Sequence, residues 1–92
     1  PTTELTFVLN ALDQLSEHGS DLKRPQVEYL GKKIYELRVK TRNRNIRLLY
    51  FFFDGNKIII THGFIKKTLK VPPSEIALAI DYMKIYLQRN GN

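Results

Sequence analysis

Lys33-Ile34-Tyr35-Glu36-Leu37-Arg38-Val39-Lys40, the turn cluster Thr41-Arg42-Asn43-Arg44-Asn45 and Ile46-Arg47-Leu48-Leu49-Tyr50-Phe51-Phe52-Phe53 follow one another without a break. Their reading decides the fold. The first stretch alternates strictly, with Ile34, Glu36, Arg38 and Lys40 on one side and Lys33, Tyr35, Leu37 and Val39 on the other. Period two marks a β-strand, here with one polar face. Asn, Arg and Thr between the runs mark a turn. The second run is apolar on both faces except at Arg47, which predicts a strand in the middle of a sheet. Asp54-Gly55-Asn56 then reads as a tight hairpin leading into a third strand, Lys57 to Phe64 or Ile65. Three antiparallel strands in meander order follow.

Outward from this core the period changes to that of a helix. Leu5, Val8, Leu9, Leu12 and Leu15 make one apolar stripe, Thr2 or Thr3 can cap its start, and Gly19 suits its end. Residues 3–18 are expected to be helical. Pro25, Val27 and Leu30 suggest a short helix over 25–30. Pro72-Pro73 closes the sheet region, and Ile76, Ile80, Met83 and Leu87 predict an amphipathic helix from about 73 to 89. The expected class is α+β: N-terminal helices and a C-terminal helix packed on a small antiparallel meander sheet. The 92 residues form a single domain, 1–92.

Composition narrows the function. The chain has no cysteine, hence no disulfide and no thiolate chemistry. Its longest apolar run, Leu48 to Phe53, is six residues, against about 20 for a membrane helix. No signal-peptide pattern opens it, so the expected location is cytoplasmic. It begins at Pro1 and its single methionine is Met83, which suggests that an initiator or an N-terminal segment is missing. The net charge is +6, unevenly spread: residues 1–22 sum to −4, residues 23–70 to +10, and residues 71–92 cancel. A concentrated cation in the middle half points to a polyanionic partner, or more blandly to solubility.

The meander order brings the beginning of one strand beside the end of the next. Arg47 opens the second strand, while Arg38 and Lys66 lie toward the ends of the first and third, so the three can converge at one end of the sheet, with Glu36 near them. Such a cluster suits a phosphodiester. RNA is cut without metal when its 2′-hydroxyl attacks phosphorus, which needs a base, cations for the phosphorane and an acid for the leaving oxygen. Arginine supplies fixed charge and a two-pronged grip. Glu36 is the carboxylate placed to act as base; alternatively it neutralises Arg38 on a solvated face. Lys32, Lys33, Lys40, Arg42, Arg44 and Lys70 are phosphate-contact candidates, or a solvated cationic rim. Tyr35, Tyr50, Tyr82 and Tyr86 are candidates for base stacking or for the core. His18 complements a helix C-terminus. His62, by strict alternation, shares a face with Ile58, Ile60 and Phe64 and reads as semi-buried. No metal site and no cofactor are expected.

Four motifs stand in order: Tyr35-Glu36-Leu37-Arg38, Ile46-Arg47-Leu48-Leu49-Tyr50-Phe51, His62-Gly63-Phe64-Ile65-Lys66-Lys67 and Pro72-Pro73-Ser74-Glu75-Ile76-Ala77-Leu78-Ala79. Together, over residues 5 to 88, they resemble the HigB-type, phage-derived branch of the RelE/ParE toxin superfamily. The resemblance implies the toxin of a type II toxin–antitoxin pair: a metal-independent endoribonuclease cutting messenger RNA, usually on the ribosome. It also implies a cognate antitoxin, of helix-turn-helix type, with operator DNA bound only through the complex. Carried over by motif, the family's cations fall on Arg38, on Arg47 and on Lys67 or Lys66, with Lys66 or Glu36 moving protons. This chain departs from RelE at Glu36, where RelE has lysine. It also lacks a tyrosine after the last basic residue, a place Tyr82 or Tyr86 would have to fill. Members usually begin with a strand before the first helix, and none is legible here. The alternatives are a ParE-like, non-enzymatic inhibitor of DNA gyrase, or a basic RNA-binding module without catalysis.

Overall fold

The computed structural model describes residues 2–90, apart from the side chains of Thr2 and Thr3; the capping role expected of those two lies outside the described residues. Helix α1 (Thr2–His18) leads through a 3₁₀ turn into four strands: β1 (Val27–Gly31), β2 (Ile34–Lys40), β3 (Asn45–Phe53) and β4 (Lys57–Ile65). Helix α2 (Pro73–Asn90) follows. The strands form one antiparallel sheet in the order β1-β2-β3-β4. The α+β class and the meander are as expected, with β3 in the interior of the sheet.

The short helix expected at 25–30 is instead strand β1, so the meander has four strands rather than three. Val27 and Leu30 are three apart, a helical spacing, yet they point to opposite sides of the sheet. Val27 joins the core under α1 and Leu30 the core under α2. Pairing with β2 also satisfies backbone groups that an edge position would leave open. This additional strand follows α1 in the chain.

Each sheet face is covered by one helix. On the α1 side, Leu15, Val27, Leu37, Val39 and Tyr50 are buried, with Val8, Ala11 and Leu12 packed against them. Leu5 and Leu9, expected on that stripe, are 56% and 51% exposed, because the helix presents Val8, Ala11, Leu12 and Leu15 to the sheet. On the α2 side, Ile34, Leu49 and Phe51 pack against Ala79 and Met83. The expected stripe on α2 ends differently: Leu87 is exposed, and Tyr86 packs edge-on against Phe51 and Phe53.

Two local features place the later residues. Tyr50 pairs with Ile60 while Leu49 pairs with His62, so Thr61 is an extra residue in β4. This bulge reverses the alternation. Ile58 and Ile60 stay with the α1 face, whereas His62 and Phe64 turn to the α2 face, contrary to the strict alternation expected. Thr61 Oγ1 donates to the Leu49 carbonyl at 3.1 Å. At the other end of the sheet, Lys32 and Lys33 form the β1–β2 turn with φ of 53° and 72°. Both are left-handed, as a two-residue hairpin turn requires and as a side chain with a Cβ resists.

Tyr35, Tyr50 and Phe52 form an aromatic cluster on the α1 face. Tyr35 and Tyr50 are therefore core residues rather than stacking platforms for bases, and Tyr86 likewise belongs to the α2 side of the core. Burial, and secondarily the neighbouring Tyr35, pushes the Tyr50 hydroxyl up from 10 to about 12. Folding thus disfavours the Tyr50 anion. The stability this group contributes is whole below pH 10 and is lost as pH rises through about 12. In denaturant titrations across that range, Tyr50→Phe is expected to lose stability less steeply than the parent chain. Replacing the turn lysines, Lys32→Asn with Lys33→Gly, is expected to stabilise the fold by about 1 kcal/mol, read as a higher denaturation midpoint.

Candidate active site

Strand pairing sets out the charged residues on the α2 face. Glu28 lies opposite Glu36, and Arg38 opposite Arg47, with Phe64 beyond Arg47 on β4. Like charges facing one another across a sheet repel. Here they are interleaved. Arg38 Nε donates to Glu36 Oε1 at 3.1 Å, and Arg38 Nη2 donates to Glu28 Oε1 at 2.5 Å. Arg24 pairs with the other oxygen of Glu28. Arg47 Nε stands 2.9 Å from Glu36 Oε2. That last contact is an ion pair by distance without the alignment of a hydrogen bond, since neither buried atom has a hydrogen-bond partner. Arg47 Nη1 donates to the Ile46 carbonyl at 3.1 Å.

Glu36 is 1% exposed. It was expected either to act as a base or to neutralise Arg38 on a solvated face, and the face is not solvated. Both oxygens face guanidinium groups, and α2 packs on the same face of the sheet. The pairing with Arg38 is present, but in the interior. An unpaired carboxylate there would be costly, and two arginines compensate it.

Beyond the chain of charges, Asn45, Arg47, Lys66, Lys67, Thr68 and Leu69 line an open depression of about 820 Å³. The Lys66 N–H donates to the Asn45 carbonyl at 2.7 Å, which ties the segment after β4 to the start of β3. No carboxylate lines this depression. Neither lysine takes part in an ion pair among the described residues. Three cations around an open, acid-free concavity can hold an anion the size of a phosphodiester.

The remaining candidates divide by position. Arg38 stands beside Arg47 but does not line the depression. Lys40 is exposed at the end of β2, opposite Asn45, and Arg42 is exposed in the β2–β3 turn, both at this end of the sheet. Arg44 shares that turn but is paired with Glu4 of α1 at 3.4 Å. Lys70 is exposed in the segment after the depression. Lys32 and Lys33, grouped with these from the sequence, sit at the opposite end of β2, about 20 Å away by the rise of a strand. Tyr82 packs edge-on to His62 and lines a separate groove with Phe51, Ile59 and Tyr86. His62 is semi-buried as expected, bonded to Glu75 at 2.8 Å, and so anchors β4 to the first turn of α2. Glu28 was missed in the sequence because its segment reads as a helix; its signal is the strand spacing that sets it across from Glu36. Glu36→Ala is expected to cost about 3–5 kcal/mol, since it leaves the largely covered Arg47 side chain without its carboxylate. Glu28→Ala, at a partly exposed pair, is expected to cost about 1 kcal/mol or less. Urea denaturation of the two variants checks the contrast.

Among the described residues no helix is long and apolar enough to cross a membrane, and no group of three or more His, Asp or Glu residues is placed to hold a metal ion. No curated protein matches the sequence. The family model of phage-derived, Gp49-like proteins (DUF891) matches residues 1–84, taking in α1, the whole sheet and the acid-free depression. The chain belongs to this phage-derived Gp49-like family, a family of the RelE-toxin type.

Proposed function

We propose that the chain is the toxin of a toxin–antitoxin pair, of the HigB-like kind, and that it cleaves messenger RNA on the ribosome by attack of the 2′-hydroxyl on the adjacent phosphorus. The observation that carries this reading is the meeting of Arg47, Lys66 and Lys67 around one open depression without a carboxylate. The scissile phosphate sits among the three cations. Arg47 offers the guanidinium edge not spent on Glu36 and Ile46, and Lys67 adds charge from the rim. Both gain strength as the phosphorane takes on negative charge, which is where stabilisation accelerates the step.

With Glu36 sealed away, proton transfer falls to Lys66, the half-buried lysine of the pair. As an ammonium Lys66 gives its proton to the departing 5′-oxygen, and the attacking 2′-hydroxyl gives its proton to solvent water at the open side of the depression. Lys40, Arg42 and Lys70 extend the positive surface along the RNA backbone. A cognate antitoxin is the protein partner that this reading proposes.

Incubation with RNA and ribosomes in magnesium buffer, and with free RNA in EDTA, tests this. Fragments ending in a 2′,3′-cyclic phosphate are expected, and Lys66→Ala with Lys67→Ala should lower their yield by about 100-fold or more at unchanged thermal stability. Growth arrest that persists in this variant, with no RNA ends produced by the parent chain, would overturn the nuclease reading in favour of a protein-binding inhibitor. Binding to RNA is expected to weaken steeply with salt, and a flat response would remove the depression as the RNA surface.

A further inference from the structure

We infer that Arg38 is a positioning residue for Arg47 and not itself a phosphate-binding group. It acts through Glu36, in the alternating chain Arg24–Glu28–Arg38–Glu36–Arg47 laid across the β1, β2 and β3 side of the sheet. The inference rests on the ribonuclease reading for its catalytic readout, and on geometry alone for the rest. It departs from what the family resemblance implies, which places Arg38 among the cations at the phosphate.

The two arginines face each other across β2 and β3, yet their surroundings differ. Arg38 gives Nε to one carboxylate and Nη2 to another, so two negative charges stand within hydrogen-bond distance of its one positive charge. A phosphate brought to Arg38 would meet both carboxylates at close range, where like charges repel most. Exposure does not decide the matter: the Arg38 side chain is 31% exposed and that of Arg47 only 11%. Compensation decides it. Arg47 shares a single carboxylate, through Nε, and its Nη2 has no partner among the described residues.

The chain of charges also explains why Arg47 keeps that corner free. A carboxylate and a guanidinium left to themselves form a two-pronged pair that consumes both prongs. Arg38 occupies Oε1 of Glu36, which confines Arg47 to Oε2 and leaves the contact unaligned. Without Arg38, Glu36 would turn both oxygens to Arg47 and draw its Nη2 edge inward, out of the depression. Glu28 in turn holds Arg38 on the Glu36 side, and Arg24 balances Glu28.

The test compares Arg38→Gln and Arg47→Gln with the parent chain in two assays. In the first, RNA affinity is measured against salt and cleavage is timed at saturating RNA. Arg47→Gln is expected to flatten the salt slope by about 0.7, the loss of one contact to a single strand. Arg38→Gln is expected to leave the slope unchanged and to slow cleavage about tenfold. A slope flattened equally by Arg38→Gln would overturn the inference. In the second, the guanidinium N–H signals of Arg47 are followed by NMR without RNA. Arg38→Gln should shift the Arg47 Nε–H signal to that of an aligned, slowly exchanging hydrogen bond, and an unmoved signal would overturn the inference. Should Arg38→Gln fail to fold because Glu28 and Glu36 then face each other unbridged, Arg38→Gln with Glu28→Gln removes that repulsion and carries the same expectations. A parent chain that cuts no RNA refutes the nuclease reading alone, and the NMR comparison still decides the role of Arg38.

Discussion

A carboxylate inside the sheet, Glu36, constrains the rest of this molecule. Removed from water, an ionised carboxylate costs several kcal/mol unless cations meet it. Arg38 and Arg47 do so from adjacent strands. That requirement acts on the β2–β3 register directly. Slipping the pairing by one residue would turn Arg47 into the aromatic core under α1 and leave Glu36 facing hydrocarbon. The register, the face that α2 covers and the position of Arg47 beside the depression therefore belong to one arrangement.

The molecule divides its cations by type. Among the described residues the ion pairs are made by Arg24, Arg38, Arg44 and Arg47, and by His62, and none by a lysine. Planar guanidinium groups build the interior network, for which their fixed fork is suited. The ammonium groups of Lys66 and Lys67 stay free at the edge of the depression. Arg47 belongs to both sets: its Nε faces Glu36 in the network, and the residue also lines the depression.

Much of the fold was legible in the residues. The alternation of β2, the two-sided greasiness of β3, the Asp54-Gly55 hairpin and the stripe of α2 are local patterns with one reading each. Meander order placed Arg38, Arg47 and Lys66 at one end of the sheet and the family resemblance added Lys67; the depression takes in Arg47, Lys66 and Lys67 but not Arg38. What misled was also local. Val27 and Leu30 have helical spacing but serve opposite faces of a strand, and that error hid Glu28. The run Ile58, Ile60, His62 alternates without interruption in the sequence, yet Thr61 is inserted into the ladder and turns His62 to the other face. A bulge of this kind depends on the partner strand, which no short window contains.

The sequence by itself determined the class of fold, the order of the last three strands and the end of the sheet where positive charge would collect, because these follow from periodicity and connection length. Tertiary structure alone decided which charges are free. Glu36 and Arg38 look like an exposed, mutually neutralising pair at i and i+2. Only when α2 covers that face and β1 brings Glu28 alongside does the first become an interior anchor and the second a strut. Burial and the company of a third strand set those roles, and neither is a property of the residues' own neighbourhood in the chain.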